Sequence, residues 1–109
     1  MNAHSPDPAV LAEVIRRIVE VAQPERIILF GSAARGEMGP DSDIDLLVVK
    51  AGVEHRRRLE GLIYRNLVGV RAAVDVVVVA PEDVERFGDK VGSIIRPALR
   101  DGRQVYAGA

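Results

Sequence analysis

The residue types and spacings best suited to chemistry in this 109-residue chain are three carboxylates and one Gly-Ser pair. Asp43 and Asp45 are two apart at the head of an apolar run. On a strand, residues i and i+2 point to the same face. Two like charges held side by side repel, and each binds its proton more tightly unless a cation sits between them. Asp75 interrupts a valine run over 74–79, where an unpaired ionised carboxylate is costly to bury. A divalent cation would meet the needs of all three acids, and Mg²⁺ favours carboxylate oxygens together with substrate phosphates. Each acid also has an ordinary reading: the Asp-x-Asp pair as loop or cap residues, and Asp75 as the partner of one of the thirteen arginines. Asp41 is read as a turn residue.

The segment before the acid pair adds a second function. Gly31 follows the apolar run 27–30 directly, and Ser32 stands where a helical turn can open. A glycine lets the backbone approach a phosphate with no Cβ in the way. The hydroxyl and the free N–H groups of a first turn can hold an anion. The segment is neither a Walker A loop nor G-x-G-x-x-G. A phosphate cradle beside an acid pair that binds Mg²⁺ is what phosphoryl-group chemistry requires. Arg35 either reaches a phosphate oxygen, or is a solvated loop residue or the partner of Glu37 or Asp41. Ser42 either orients Asp43 or ends the turn.

These residues need elements to position them. Residues 8–22 form an amphipathic helix, with Val10, Leu11, Val14, Ile15, Ile18 and Val19 on one stripe, Asp7 as N-cap, Pro8 at the first position and Pro24 as the stop. Strands are expected over 26–30, 43–49 and 73–79, with a loop over 31–42 that carries one helical turn at 32–35. A helix over 54–68 turns Leu59, Leu62, Ile63 and Leu67 to one face. Further helices are expected over 82–87 and 91–100, the latter kinked at Pro97, and 104–106 forms a short edge strand. The strands are apolar on both faces, so helices cover the sheet. The fold class is α/β (α+β), in one domain over 1–109.

Composition excludes several classes. Apolar residues make up 48% and charged residues 28%, as in an ordinary globular protein rather than a disordered one. There is no Cys, hence no disulfide frame and no thiolate site, and His4 and His55 are too few and too far apart for a histidine metal site. Fifteen basic against sixteen acidic residues leave a net charge of −1, which disfavours nucleic acid as a partner. No apolar run spans a bilayer and the N-terminus carries no secretory pattern, so the expected compartment is the cytoplasm. Arg56, Arg57 and Arg58 fan around their helix as a solvated face. His55 is read as a surface residue. Tyr64 and Tyr106 are read as buried rings, with modification as the alternative.

Gly31-Ser32, ten residues, then Asp43-Ile44-Asp45 resembles the signature of the DNA polymerase β-like nucleotidyltransferases. The string LFGSAARGEMGPDSDIDLLVV resembles the minimal nucleotidyltransferase (MNT) proteins, many of which pair with HEPN proteins as toxin–antitoxin systems. The end, IIRPALRDGRQVYAG, is similar to the helix, glycine and short strand that close that family's domain. The resemblance covers almost the whole chain. It implies a nucleotidyltransferase fold, a small mixed sheet flanked by helices. Gly31 and Ser32, with Arg35 as a further candidate, would hold the phosphates of a nucleoside triphosphate. Asp43 and Asp45 would coordinate two Mg²⁺ ions, and Asp75 would coordinate the catalytic one and help activate the acceptor hydroxyl. The reaction implied is transfer of a nucleoside monophosphate, AMP from ATP, to a tyrosine of a HEPN-type toxin, with the chain acting as antitoxin. Two alternatives stand beside it: neutralisation by contact alone, and transfer to RNA or a small molecule. With no room for a separate acceptor-binding domain, the acceptor site is expected to be open, or completed by a partner or by a homo- or hetero-oligomer.

Overall fold

The computed structural model describes residues 6–38, 43–87, 100 and 102–108. Four strands form one mixed sheet in the order β3-β2-β1-β4: β1 is Arg26–Phe30, β2 Ile44–Val49, β3 Val74–Val79 and β4 Arg103–Ala107. β1 runs antiparallel to both β2 and β4, and β2 runs parallel to β3. Among the described residues the helices are α1 (Pro8–Ala22), α2 (Gly31–Arg35), α3 (Arg56–Asn66) and α4 (Pro81–Phe87), and Arg100 is also helical. The expected helix over 91–100 lies outside the described residues, apart from Arg100, as do the turn residues Asp41 and Ser42.

α1 forms where local signals agree. The Asp7 carboxylate accepts the Ala9 N–H at 2.9 Å, and Pro8 occupies the first turn, where its missing N–H costs nothing. Gln23 closes the helix in the left-handed conformation, and its N–H returns to the Val19 carbonyl. The polypeptide therefore turns one residue before Pro24. Val14 and Ile18 are fully buried against the sheet, each contributing about 1.5–3 kcal/mol of hydrophobic stabilisation.

Strand alternation divides the core in two. Ile27, Leu29, Ile44, Leu46, Val48, Val76 and Val78 pack with α1 and α3 on one face. Ile28, Phe30, Leu47, Val49 and Val79 form the other face, with Val84 of α4 against it. Both strand faces are apolar because both are covered.

α3 differs from expectation in how it is rolled. Ile63 and Leu67 are buried, but Leu62 is 43% exposed. The helix instead turns Glu60 and Tyr64 toward the outer edge of β3. Tyr64 Oη accepts the Val76 N–H at 2.7 Å, and Glu60 Oε2 accepts the Val78 N–H at 2.9 Å. The periods match: four helical residues advance ~6 Å, and two strand residues advance ~6.6 Å. Two side chains four apart thus satisfy two strand amides two apart and close an edge that would otherwise be open. Tyr64 is 39% exposed, so its ring is not the buried one expected. At the other end of α3, Arg17 donates to the carbonyls of Asn66 (3.2 Å) and Val68 (2.9 Å), and Asn66 Nδ2 donates back to the Arg17 carbonyl at 2.9 Å. That places a cation on the negative end of the helix.

Candidate active site

Gly31 is where β1 becomes α2, at φ 72°. This is left-handed backbone that an L side chain resists. Space favours glycine as well, since a Cβ at this position would run into the Asp45 carboxylate oxygen Oδ2 and displace it. The register explains the meeting: Phe30, the last residue of β1, stands opposite Asp45 of β2. The turn therefore comes down directly over the second acid of the pair. Ser32, in the first turn of α2, is half-buried, and its carbonyl accepts the Glu37 N–H at 2.8 Å.

Asp45 pairs in register with Asp75 across the parallel strands β2 and β3. In-register residues of a parallel pair face the same side, here the side of Phe30 and Leu47. Asp43 is exposed just ahead of β2. Burial raises the Asp45 carboxyl above its ordinary pKa, Asp75 and then Asp43 raise it further, and the Arg35 guanidinium pulls it back. Turn, acid pair, third acid and Arg35 are thus within electrostatic reach of one another. Asp75 itself is exposed rather than buried among the valines. It sits at the open start of β3, which removes most of the burial cost anticipated for it.

Among the described residues, no three His, Asp or Glu side chains close around a point that could hold a metal ion. Mg²⁺ is commonly held by one or two carboxylates with substrate phosphates completing the shell, and Asp45 and Asp75, in register on adjoining strands, supply that donor chemistry. Burial and the neighbouring Asp75 and Asp43 favour the protonated form of Asp45, and a divalent ion held by these acids would reverse that preference.

Arg35 Nε donates to Glu37 Oε2 at 3.2 Å, with both side chains substantially exposed. Of the arginine run, Arg56 pairs with Asp83 at 2.6 Å and ties α3 to α4, whereas Arg57 and Arg58 are exposed. Sequence reasoning missed Tyr64, whose hydroxyl donates to Asp75 Oδ1 at 3.1 Å. Burial raises its pKa, chiefly, which keeps the hydroxyl protonated and a donor. The available signal was the pair Glu60 and Tyr64 at helical spacing on the side of α3 that should have been apolar.

A four-stranded mixed sheet with a Gly-Ser turn over an acid pair and a third acid on the adjoining strand defines a nucleotidyl-transfer protein. Residues 11–96 match the nucleotidyltransferase domain family, and the chain belongs to it. It is 35% identical over 83 residues to a Methanocaldococcus jannaschii protein named as a putative protein adenylyltransferase, covering 75% of this chain and 78% of that one. Two solved structures share the fold. One is a putative nucleotidyltransferase from Sulfolobus solfataricus, with TM-score 0.63 and 22% identity over 91% of this chain and 78% of that one. The other is a mutant of the toxin–antitoxin MntA-HpeT, with TM-score 0.59 and 19% identity over 87% of this chain and 72% of that one. The expected mixed sheet and nucleotidyltransferase fold are both borne out. No described helix is long and apolar enough to cross a membrane.

Proposed function

We propose that this nucleotidyltransferase is a protein adenylyltransferase: it moves AMP from ATP to a tyrosine hydroxyl of a partner HEPN-type toxin in the cytoplasm, and so acts as antitoxin. The observation that carries the reading is the apposition of Gly31 and Asp45, which leaves backbone without a Cβ facing a carboxylate that Asp75 and Asp43 crowd with like charge. The adenylyltransferase name of the M. jannaschii relative supports protein as the acceptor, and the likeness to a toxin–antitoxin structure supports a toxin as the partner.

Gly31 and Ser32 bind the β- and γ-phosphates through backbone N–H groups and the serine hydroxyl. Asp43, Asp45 and Asp75 would hold two Mg²⁺ ions, which when bound neutralise phosphate charge and make the attacking oxygen more nucleophilic. Asp75, the most open of the strand acids, orients the acceptor hydroxyl and takes its proton. The hydroxyl oxygen bonds to the α-phosphorus, the bond to the bridging oxygen of the β-phosphate breaks, and pyrophosphate leaves. The exposure of Asp43 and Asp75 gives a partner's tyrosine a way in.

The test is a transfer assay with ATP labelled at the α-phosphate, Mg²⁺, and the protein encoded beside this chain's gene. Label on that protein, abolished by Asp45→Asn, is the expected result. Protection of cells by the Asp45→Asn variant would favour neutralisation by contact. Label on RNA or a small molecule alone would move the acceptor class.

A further inference from the structure

We infer that Tyr64 is a positioning residue for Asp75: its hydroxyl, fixed by the neighbouring strand amide, holds one carboxylate oxygen at the edge of β3 and presents the other to the metal and the acceptor. The inference rests on the role proposed above for Asp75.

The argument is one of donor and acceptor capacity. A phenol has one proton to give and lone pairs to accept with. The Val76 N–H donates to Tyr64 Oη at 2.7 Å, so the oxygen is anchored from the strand side. The single proton then has two acceptors in range, Asp75 Oδ1 at 3.1 Å and the Val76 carbonyl at 3.4 Å. The nearer one carries a charge, and hydrogen bonds to ionised acceptors are the stronger kind. Asp75 Oδ1 is thereby engaged, while Oδ2 makes no hydrogen bond among the described residues. Asp75 is exposed and begins an edge strand, so without such a tether its side chain would sample several rotamers. Partners that orient a metal-ligating group in this way are worth about 10–100-fold in metal affinity or activity.

The fold supplies its own control. Glu60, one turn earlier on α3, does for the Val78 N–H what Tyr64 does for Val76, but it touches no acid. Removing Glu60 therefore damages the edge without untethering a carboxylate.

The experiment titrates Mn²⁺ by electron paramagnetic resonance into the full chain with an ATP analogue bridged by a methylene between its α- and β-phosphates. Tyr64→Phe is expected to weaken Mn²⁺ binding by roughly tenfold or more, with Glu60→Ala within about twofold of wild type. In an Asp75→Asn background, Tyr64→Phe should add no further loss, because the group it orients is no longer the same ligand. Wild-type Mn²⁺ affinity in Tyr64→Phe would overturn the inference. So would an equal loss in Glu60→Ala, which would trace the effect to order at the edge. Mn²⁺ bound by the wild type with no transfer to any acceptor would sink the adenylyltransferase reading and leave this one to the titration.

Discussion

Gly31 and Asp45 stand so close that a Cβ on the glycine would fall well inside contact distance of the aspartate's Oδ2. The turn after β1 and the second acid of the pair thus constrain each other: a side chain at residue 31 would require the Asp45 carboxylate to move. Gly31→Ala meets two penalties, a positive φ and the collision. The expected destabilisation is about 1–3 kcal/mol, with transfer lost, as read by thermal melting and labelled ATP. Adding Asp45→Ala removes the obstructing oxygen and should restore part of the stability but none of the activity. Simple additivity of the two stability changes would show that the contact is not energetic.

The pH dependence of stability follows from Asp45. Its folded pKa lies above the unfolded value because of burial, then Asp75 and Asp43. A carboxyl of that kind binds its proton more tightly when folded, so its contribution to stability is greatest in acid. That contribution is lost as pH rises from about 4 through the raised value. The melting temperature of metal-free wild type minus that of Asp45→Asn should therefore fall across this window. A difference that is flat or rises with pH would contradict the assignment.

What the sequence made legible was whatever it wrote locally. Asp7, Pro8 and the stripe through Val14 and Ile18 specify α1 without reference to anything distant. The spacing from Gly31 to Asp45 exposes the site because turn, loop and strand are consecutive in the chain. The roll of α3 was not legible. Leu59, Leu62, Ile63 and Leu67 form an apolar face on paper, but which part of it is buried depends on a sheet edge formed 10 to 20 residues later. The edge amides of Val76 and Val78 draw Glu60 and Tyr64 inward and turn Leu62 out. Arg35 was ambiguous for a related reason: Glu37 lies two residues away and pairs with it, while a role toward a phosphate depends on a ligand that the sequence does not place.

Arg35 and Glu37 are exposed partners, so the pair adds little to folding. Arg35→Ala and Glu37→Ala should each change stability by less than about 0.5 kcal/mol. Their effects on ATP should be opposite: the first raises KM by removing a cation beside the acids, and the second lowers it by releasing that cation toward the phosphates. Equal KM values in both variants would make Arg35 a surface residue and no more.

Ile63 is the fully buried residue that seats α3 on the sheet. Ile63→Ala should cost about 2–5 kcal/mol in denaturant unfolding, through lost transfer energy and the cavity left behind. The edge contacts of Tyr64 and Glu60 depend on the same seating. Amide exchange at Val76 and Val78 should therefore quicken together in this variant, ahead of the strand interior. Loss of protection confined to α3 would show that the helix and the edge are not coupled.

Ligand should stabilise the chain in a way that depends on metal and nucleotide together. Among the described residues the acids close no cage of their own, so Mg²⁺ alone should raise the melting temperature little. Mg²⁺ with the methylene-bridged ATP analogue at a hundredfold excess over Kd should add about 2.7 kcal/mol. For a domain of this size that corresponds to a rise of roughly 10 °C or more. Asp45→Asn should abolish the joint effect, because the carboxylate under the Gly31 turn is then neutral and the phosphates lose the ion between them. Melting that is identical with and without the pair of ligands would remove the metal from the site, and with it the chemistry assigned to the three acids.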